Sequence, residues 1–114
     1  NKGYKVHKES TMCIYDYTVN DCVRVDCKYS RVYHGKQGDF FSCRLKNAKD
    51  CDIFIVLCEY DNHTYKILVI PHMAVFNQSQ ISIGLENSKW DCYRNKFHYI
   101  DKYENFYKNL IKVG

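Results

Sequence analysis

Asp26 and Lys28 stand two residues apart in the run Val23 to Ser30. Alternate side chains of an extended chain point to the same side, so this spacing puts a carboxylate and an ammonium on one face of a strand. Arg24, Asp26, Lys28 and Ser30 line that polar face, while Val23, Val25, Cys27 and Tyr29 line the other. Hard divalent cations are typically held by one or two carboxylates, waters and phosphate oxygens, and the backbone carbonyl of Cys27 offers a further oxygen. Lys28 can then polarise an attacking water or neutralise the charge that develops on a phosphate. The same triplet also serves as a solvated ion pair on an open sheet face, and spacing alone does not separate the two.

The elements that must position these residues form a hairpin. Ile14 to Val19 and Val23 to Ser30 are strand candidates on either side of Asn20 and Asp21, residue types that tolerate turn conformations. Tyr15, Tyr17 and Val19 alternate with the polar Asp16, Thr18 and Asn20. Facing residues of an antiparallel pair share a face, so apolar must meet apolar. This predicts Val19 opposite Val23, Tyr17 opposite Val25, Tyr15 opposite Cys27 and Asp16 opposite Asp26, with Asn20, Asp21 and Cys22 forming the turn. Two carboxylates with Cβ atoms roughly 5 Å apart repel each other, and a bound cation reverses that sign.

Several segments, in order, resemble the PD-(D/E)XK nuclease superfamily, and within it the branch containing group I intron homing endonucleases. They are Gly3 to Val6, Tyr15 and Asp16, Val23 to Ser30, Cys51 to Tyr60, Tyr65 to Pro71, Gln80 to Gly84 and Ser88 to Asn95. The resemblance covers roughly the first hundred residues, and the order and spacing of the pieces are more specific than any one of them. It implies an α/β, restriction-endonuclease-like fold with a mixed, largely antiparallel central sheet and flanking helices, the first helix of the core lying upstream of Asn1. It implies that Asp16 is the first acid of the motif, Asp26 the second and Lys28 the lysine. Asp16, Asp26 and the Cys27 carbonyl would bind Mg2+ or Mn2+, and an activated water would hydrolyse the phosphodiester. Three departures stand beside this: Tyr15 takes the place of the motif's proline, the upstream helix is absent from this chain, and Asp26 is the shorter acid where glutamate is frequent.

The expected activity is that of a metal-dependent endonuclease of homing, mobile-element or restriction type acting on double-stranded DNA. The alternative is a catalytically silent nucleic-acid-binding or assembly module that keeps the same fold. The 114 residues suit one domain, 1–114, and the initial Asn1 suggests a piece of a longer protein. A net charge of +4, from 17 basic against 13 acidic residues, favours polyanionic partners only mildly. Candidate phosphate contacts are Arg44, Lys46 and Lys49, and further along Lys89, Arg94 and Lys96 around Trp90 and Tyr93. Cutting both strands at once needs two sites, so a homo-oligomer, dimer or higher, is expected.

The seven cysteines show no CxxC spacing and the five histidines no metal spacing, which argues against a zinc knuckle and a histidine-metal nuclease. The chain reads as an intracellular domain of a reducing compartment, cytoplasm or nucleus, with no membrane partner, since no apolar run reaches about 18 residues. Ile53 to Glu59 is almost continuously apolar, as a central strand buried on both faces would be, and Asp61 to His63 should turn it into a hairpin with Tyr65 to Ile70. Phe40 to Leu45 is a further strand candidate, Lys46 to Asp50 one helical turn, and Lys36 to Asp39 a loop. Tyr103, Phe106, Tyr107, Leu110 and Ile111 fall on one face of a C-terminal helix that Asp101 and Glu104 would cap.

Overall fold

The computed structural model describes residues 5–8, 17–20, 22–45, 51–76 and 78–113. These form a mixed α/β fold of eight strands, two short 3-10 turns and the C-terminal helix α1, His98–Val113. β1 (Val6–Lys8), β2 (Tyr17–Val19), β3 (Val23–Arg31), β6 (Ile53–Glu59) and β7 (Tyr65–Pro71) make a five-stranded sheet in the order β1-β2-β3-β6-β7. β4 (Tyr33–Gly35), β5 (Gly38–Arg44) and β8 (Gln80–Gly84) make a second, antiparallel sheet in the order β4-β5-β8.

The apolar character of Ile53–Glu59 explains the centre of the molecule. Phe54, Val56 and Cys58 face one way and pack with Phe41, Cys43, Ile81 and Ile83 of the second sheet and with Leu68, Ile70, Val75 and Trp90. Ile53 and Ile55 face the other way and pack with Val23, Val25 and Val69 against Phe97, Ile100 and Tyr103 at the start of α1. The five-stranded sheet is thus the middle of three layers, which is what a strand apolar on both sides requires. Emptying one of these positions, as in Phe54→Ala, removes about 3–5 kcal/mol of transfer and packing energy.

The hairpin register agrees with the alternation in the sequence: Val19 faces Val23 and Tyr17 faces Val25. The Asp16–Asp26 and Tyr15–Cys27 pairings lie outside the described residues, as does the helical turn expected over Lys46 to Asp50. Asn20 takes a positive φ of 51° in the turn, a conformation asparagine tolerates, and its side-chain oxygen accepts from Lys5 N–H at 2.7 Å. The Asn20 amide also donates to Glu104 on α1, which fastens the turn to the helix.

Three expectations change in detail. β5 does not extend the central sheet; only its alternate residues Phe41 and Cys43 are buried, so it has one apolar face and lies flat over the larger sheet. Lys36 and Gln37 form the tip of the β4–β5 hairpin rather than a loose loop, with Gly35 facing Gly38. The helix begins at His98, three residues before Asp101, because Asn95 turns the chain with φ 56° and Ile100 is already buried. Of the expected stripe, Tyr103 and Tyr107 are half-buried while Phe106 and Leu110 are exposed, and the side chain of Ile111 lies outside the described ones.

β3 joins the centre by a parallel ladder with β6, from Val25↔Ile53 to Arg31↔Glu59, and β6 pairs antiparallel with β7. This ladder, spanning the crossover through β4 and β5, fixes where Asp26 and Lys28 sit: level with Phe54 and Val56, beneath the second sheet.

Candidate active site

The polar face of β3 is a covered surface. Asp26 is 6% exposed, whereas Tyr29 on the nominally apolar face is 55% exposed. The second sheet causes the inversion. Ser42 N–H of β5 donates to Ser30 Oγ at 3.1 Å, so β5 crosses over β3, and the next residue, Cys43, feels the charges of Lys28 and Asp26. β5 therefore runs back toward Asp26 and carries Arg44 to that end of the molecule.

Lys28 Nζ lies 2.8 Å from Asp26 Oδ2, and its side chain stays 26% exposed against 9% for the acid. One point of the surface thus offers both a carboxylate oxygen and an ammonium. Cys43 and Cys51 flank the pair as buried thiols. Burial pushes Cys43 up to about 11, and burial together with the carboxylates of Asp26 and Asp52 pushes Cys51 up to about 12. Both stay protonated near neutral pH and supply no thiolate nucleophile. The Asp26 carboxylate offers hard oxygen of the kind that suits magnesium or manganese.

The Cys27 carbonyl can be placed from the ladders. The Arg24 carbonyl accepts from Asp52 N–H at 2.9 Å on the β6 side. Since carbonyls alternate along a strand, that of Cys27 turns to the β2 side, beyond the Tyr17–Val25 pair. Asp26 and that carbonyl fit the one-or-two-carboxylate mode of a hard cation, and a second carboxylate would have to come from the β2 strand. Asp16, the expected source, lies outside the described residues. Among the described residues no three His, Cys, Asp or Glu side chains converge on a common metal position.

The expected phosphate contacts are dispersed. Arg44 ends β5 opposite Gln80 and alternates with the buried Cys43, which turns its side chain to the exposed face of the second sheet, while Lys46 and Lys49 lie outside the described residues. Lys89 sits over the Trp90 ring at 5.0 Å, and Arg94 bridges to Leu68 on β7. Leu68 faces Val56, which faces Lys28, so Arg94 is about 14 Å away, three strand spacings across the sheet. Lys96 follows on that far edge, its N–H bonded to Tyr93 O. The structure thus sets Arg94 and Lys96 across the larger sheet from Asp26 and Lys28, and Arg44 on the exposed face of the second sheet.

Asp52, beside the site, was not singled out from sequence, and Tyr107 was read only as part of the apolar stripe of the C-terminal helix. Asp52, 5% exposed, accepts from Arg24 N–H at 2.9 Å and Arg24 Nη2 at 3.1 Å, and from the Tyr107 hydroxyl at 2.6 Å. The Asp52 hydrogen bond is the main cause of a further rise in the already high Arg24 pKa. The one available sign was that Arg24 shares the face of Asp26 and Lys28; nothing local ties Asp52 or Tyr107 to it.

No family model matches the chain, and no curated protein matches it in sequence. In three dimensions it is similar to the solved structure of a bacterial homing endonuclease, I-Ssp6803I. The TM-score is 0.65 at 14% sequence identity, over 95% of this chain and 84% of that one. At that identity the likeness is one of fold: antiparallel-rich mixed sheets with a C-terminal helix, arranged as in an endonuclease.

Proposed function

We propose that this chain is a metal-dependent endonuclease of the PD-(D/E)XK type that hydrolyses phosphodiester bonds of double-stranded DNA. The observation that carries the reading is the Asp26–Lys28 pair, 2.8 Å apart and covered by the second sheet, on a strand whose fold context is similar to a homing endonuclease. Asp26, Asp16 and the Cys27 carbonyl would hold magnesium or manganese, Asp16 coming opposite Asp26 if the β2–β3 register runs one residue further. Such an ion lowers the pKa of a bound water and offsets phosphate charge. Lys28 presents its ammonium to the reacting phosphate and stabilises the charge that builds on its oxygens, in a site where partial burial strengthens the interaction. The second sheet limits access of bulk water to Asp26. Arg44, with Lys46, Lys49, Lys89, Arg94 and Lys96, would supply sequence-independent phosphate contacts. Cutting both strands would engage two copies of the chain.

The test is a plasmid-nicking assay with Mg2+ or Mn2+, run beside Lys28→Ala and Asp26→Asn. Nicked circles from the parent and none from either variant support the enzyme. A parent that leaves the plasmid intact with both metals, while binding DNA indifferently to metal and to Asp26→Asn, would show a binding module instead.

A further inference from the structure

We propose that Arg24 is a phosphate-contact residue, locked in place by Asp52 and Tyr107, that grips the backbone phosphate next to the one reacting at Asp26 and Lys28; this rests on the nuclease reading above. Arg24 precedes Asp26 by two residues on β3, an advance of about 6.6 Å along the strand, and its guanidinium leans toward Tyr107 of α1 at the end of the strand.

The way the guanidinium is held separates a recognition role from plain stabilisation. One carboxylate, Asp52, takes Arg24 N–H at 2.9 Å, Nε at 3.4 Å, Nη2 at 3.1 Å and the Tyr107 hydroxyl at 2.6 Å. The Tyr107 oxygen in turn accepts from Nη2 at 3.3 Å. These contacts use one edge of the guanidinium; among those described, none engages Nη1. The acid is sealed, with its side chain 6% exposed, while that of Arg24 remains 40% exposed. An ion pair serving only the fold gains little from leaving its cation at the surface, where solvent weakens it. A cation that must meet a phosphate gains from this arrangement, because the rotamer is already fixed and the outer N–H donors are presented for charge-assisted bonds. Tyr107 is a positioning residue here. Burial raises its pKa, so the phenol keeps the proton it donates to Asp52.

The experiment is fluorescence anisotropy with a labelled duplex, using calcium in place of magnesium to prevent turnover, over a range of salt concentrations. For Arg24→Gln we expect affinity to fall about tenfold at low salt and the slope of log K against log salt to shrink by about one. Tyr107→Phe keeps the charge but loosens the guanidinium, so affinity falls about threefold with the slope unchanged. A purely structural Arg24 would lower the thermal midpoint yet leave the slope as in the parent. A folded Arg24→Gln with parental slope and affinity, in a preparation whose parent cuts DNA, overturns the Arg24 assignment alone. A parent that neither binds nor cuts duplex takes both readings down. Should Arg24→Gln not fold, phenylglyoxal labelling of the parent decides: protection of Arg24 by duplex supports the contact, and equal labelling with and without duplex overturns it.

Discussion

Two Asp–Lys pairs with covered members, built in opposite ways, lie in this small fold. Lys66 is 2% exposed and directs its ammonium to three acceptors: Gly84 O at 2.8 Å, Leu85 O at 3.3 Å and Asp91 Oδ1 at 2.7 Å. Three acceptors use every donor an ammonium has, and they join β7 to the end of β8 and the following 3-10 turn. Asp91 is shared with that turn, accepting from Ser88 N–H through its other oxygen. The pair formed by Asp26 and Lys28 joins residues two apart on one strand, its ammonium side chain stays 26% exposed, and its acid is as covered as a core residue. Burying a carboxylate is costly, and an ion pair between residues two apart in sequence closes only a short loop. The comparison teaches which pair is structural: the one whose cation is saturated and whose partners are remote in sequence. The local, half-open pair is the one that the proposed function places at the reacting phosphate.

Making the same Asp→Asn change in each pair should break this comparison if it is wrong. Asp26→Asn should lower cleavage by about 10²- to 10³-fold, the cost typical of losing one electrostatic contact at a reacting centre, while the urea midpoint changes little. Asp91→Asn leaves the sealed Lys66 ammonium without its counter-charge and should remove about 3–5 kcal/mol of stability, read by urea denaturation. Equal stability losses in the two variants would mean that the Asp26 pair also holds the fold.

A smaller effect sharpens the contrast between sealed and open groups. His34 on β4 bonds Asp39 Oδ1 through Nδ1 at 3.0 Å and Asp61 Oδ2 through Nε2 at 2.9 Å, clasping the β4–β5 hairpin to the β6–β7 turn. The Asp39 hydrogen bond, with the charges of both acids, raises its pKa above the ordinary 6.5. A raised folded value means that the contribution of the clasp is fully present below pH 6.5 and fades as pH climbs through the raised value. The His34 ring titration followed by NMR should move down in Asp61→Asn; an unmoved titration would show that the turn takes no part. The smallest expected effect is chemical. At pH 8, iodoacetamide should label the exposed Cys27 and Cys92 and spare Cys43, Cys51 and Cys58 until the protein unfolds. Mass spectrometry reads the pattern, and early labelling of Cys51 would mean that the packing between the two sheets opens.

Much of the local architecture was legible along the chain. The alternation of Tyr17 and Val19 with Thr18 set the Val19–Val23 and Tyr17–Val25 register, the apolar run at Ile53 marked the central strand, and Asp61 to His63 marked the turn between β6 and β7. Periodicity reports which side of an element is apolar, and a short turn leaves few ways to pair neighbours. It does not report which distant element covers that side. The parallel ladder of β3 with β6, the separate sheet of β4, β5 and β8, the burial of Asp26 and the reach of Tyr107 to Asp52 all join residues far apart in the chain. Residue types and their spacing named Asp26 and Lys28; whether that polar face met water or another sheet depended on long-range packing, because burial belongs to the assembled layers and not to any one strand.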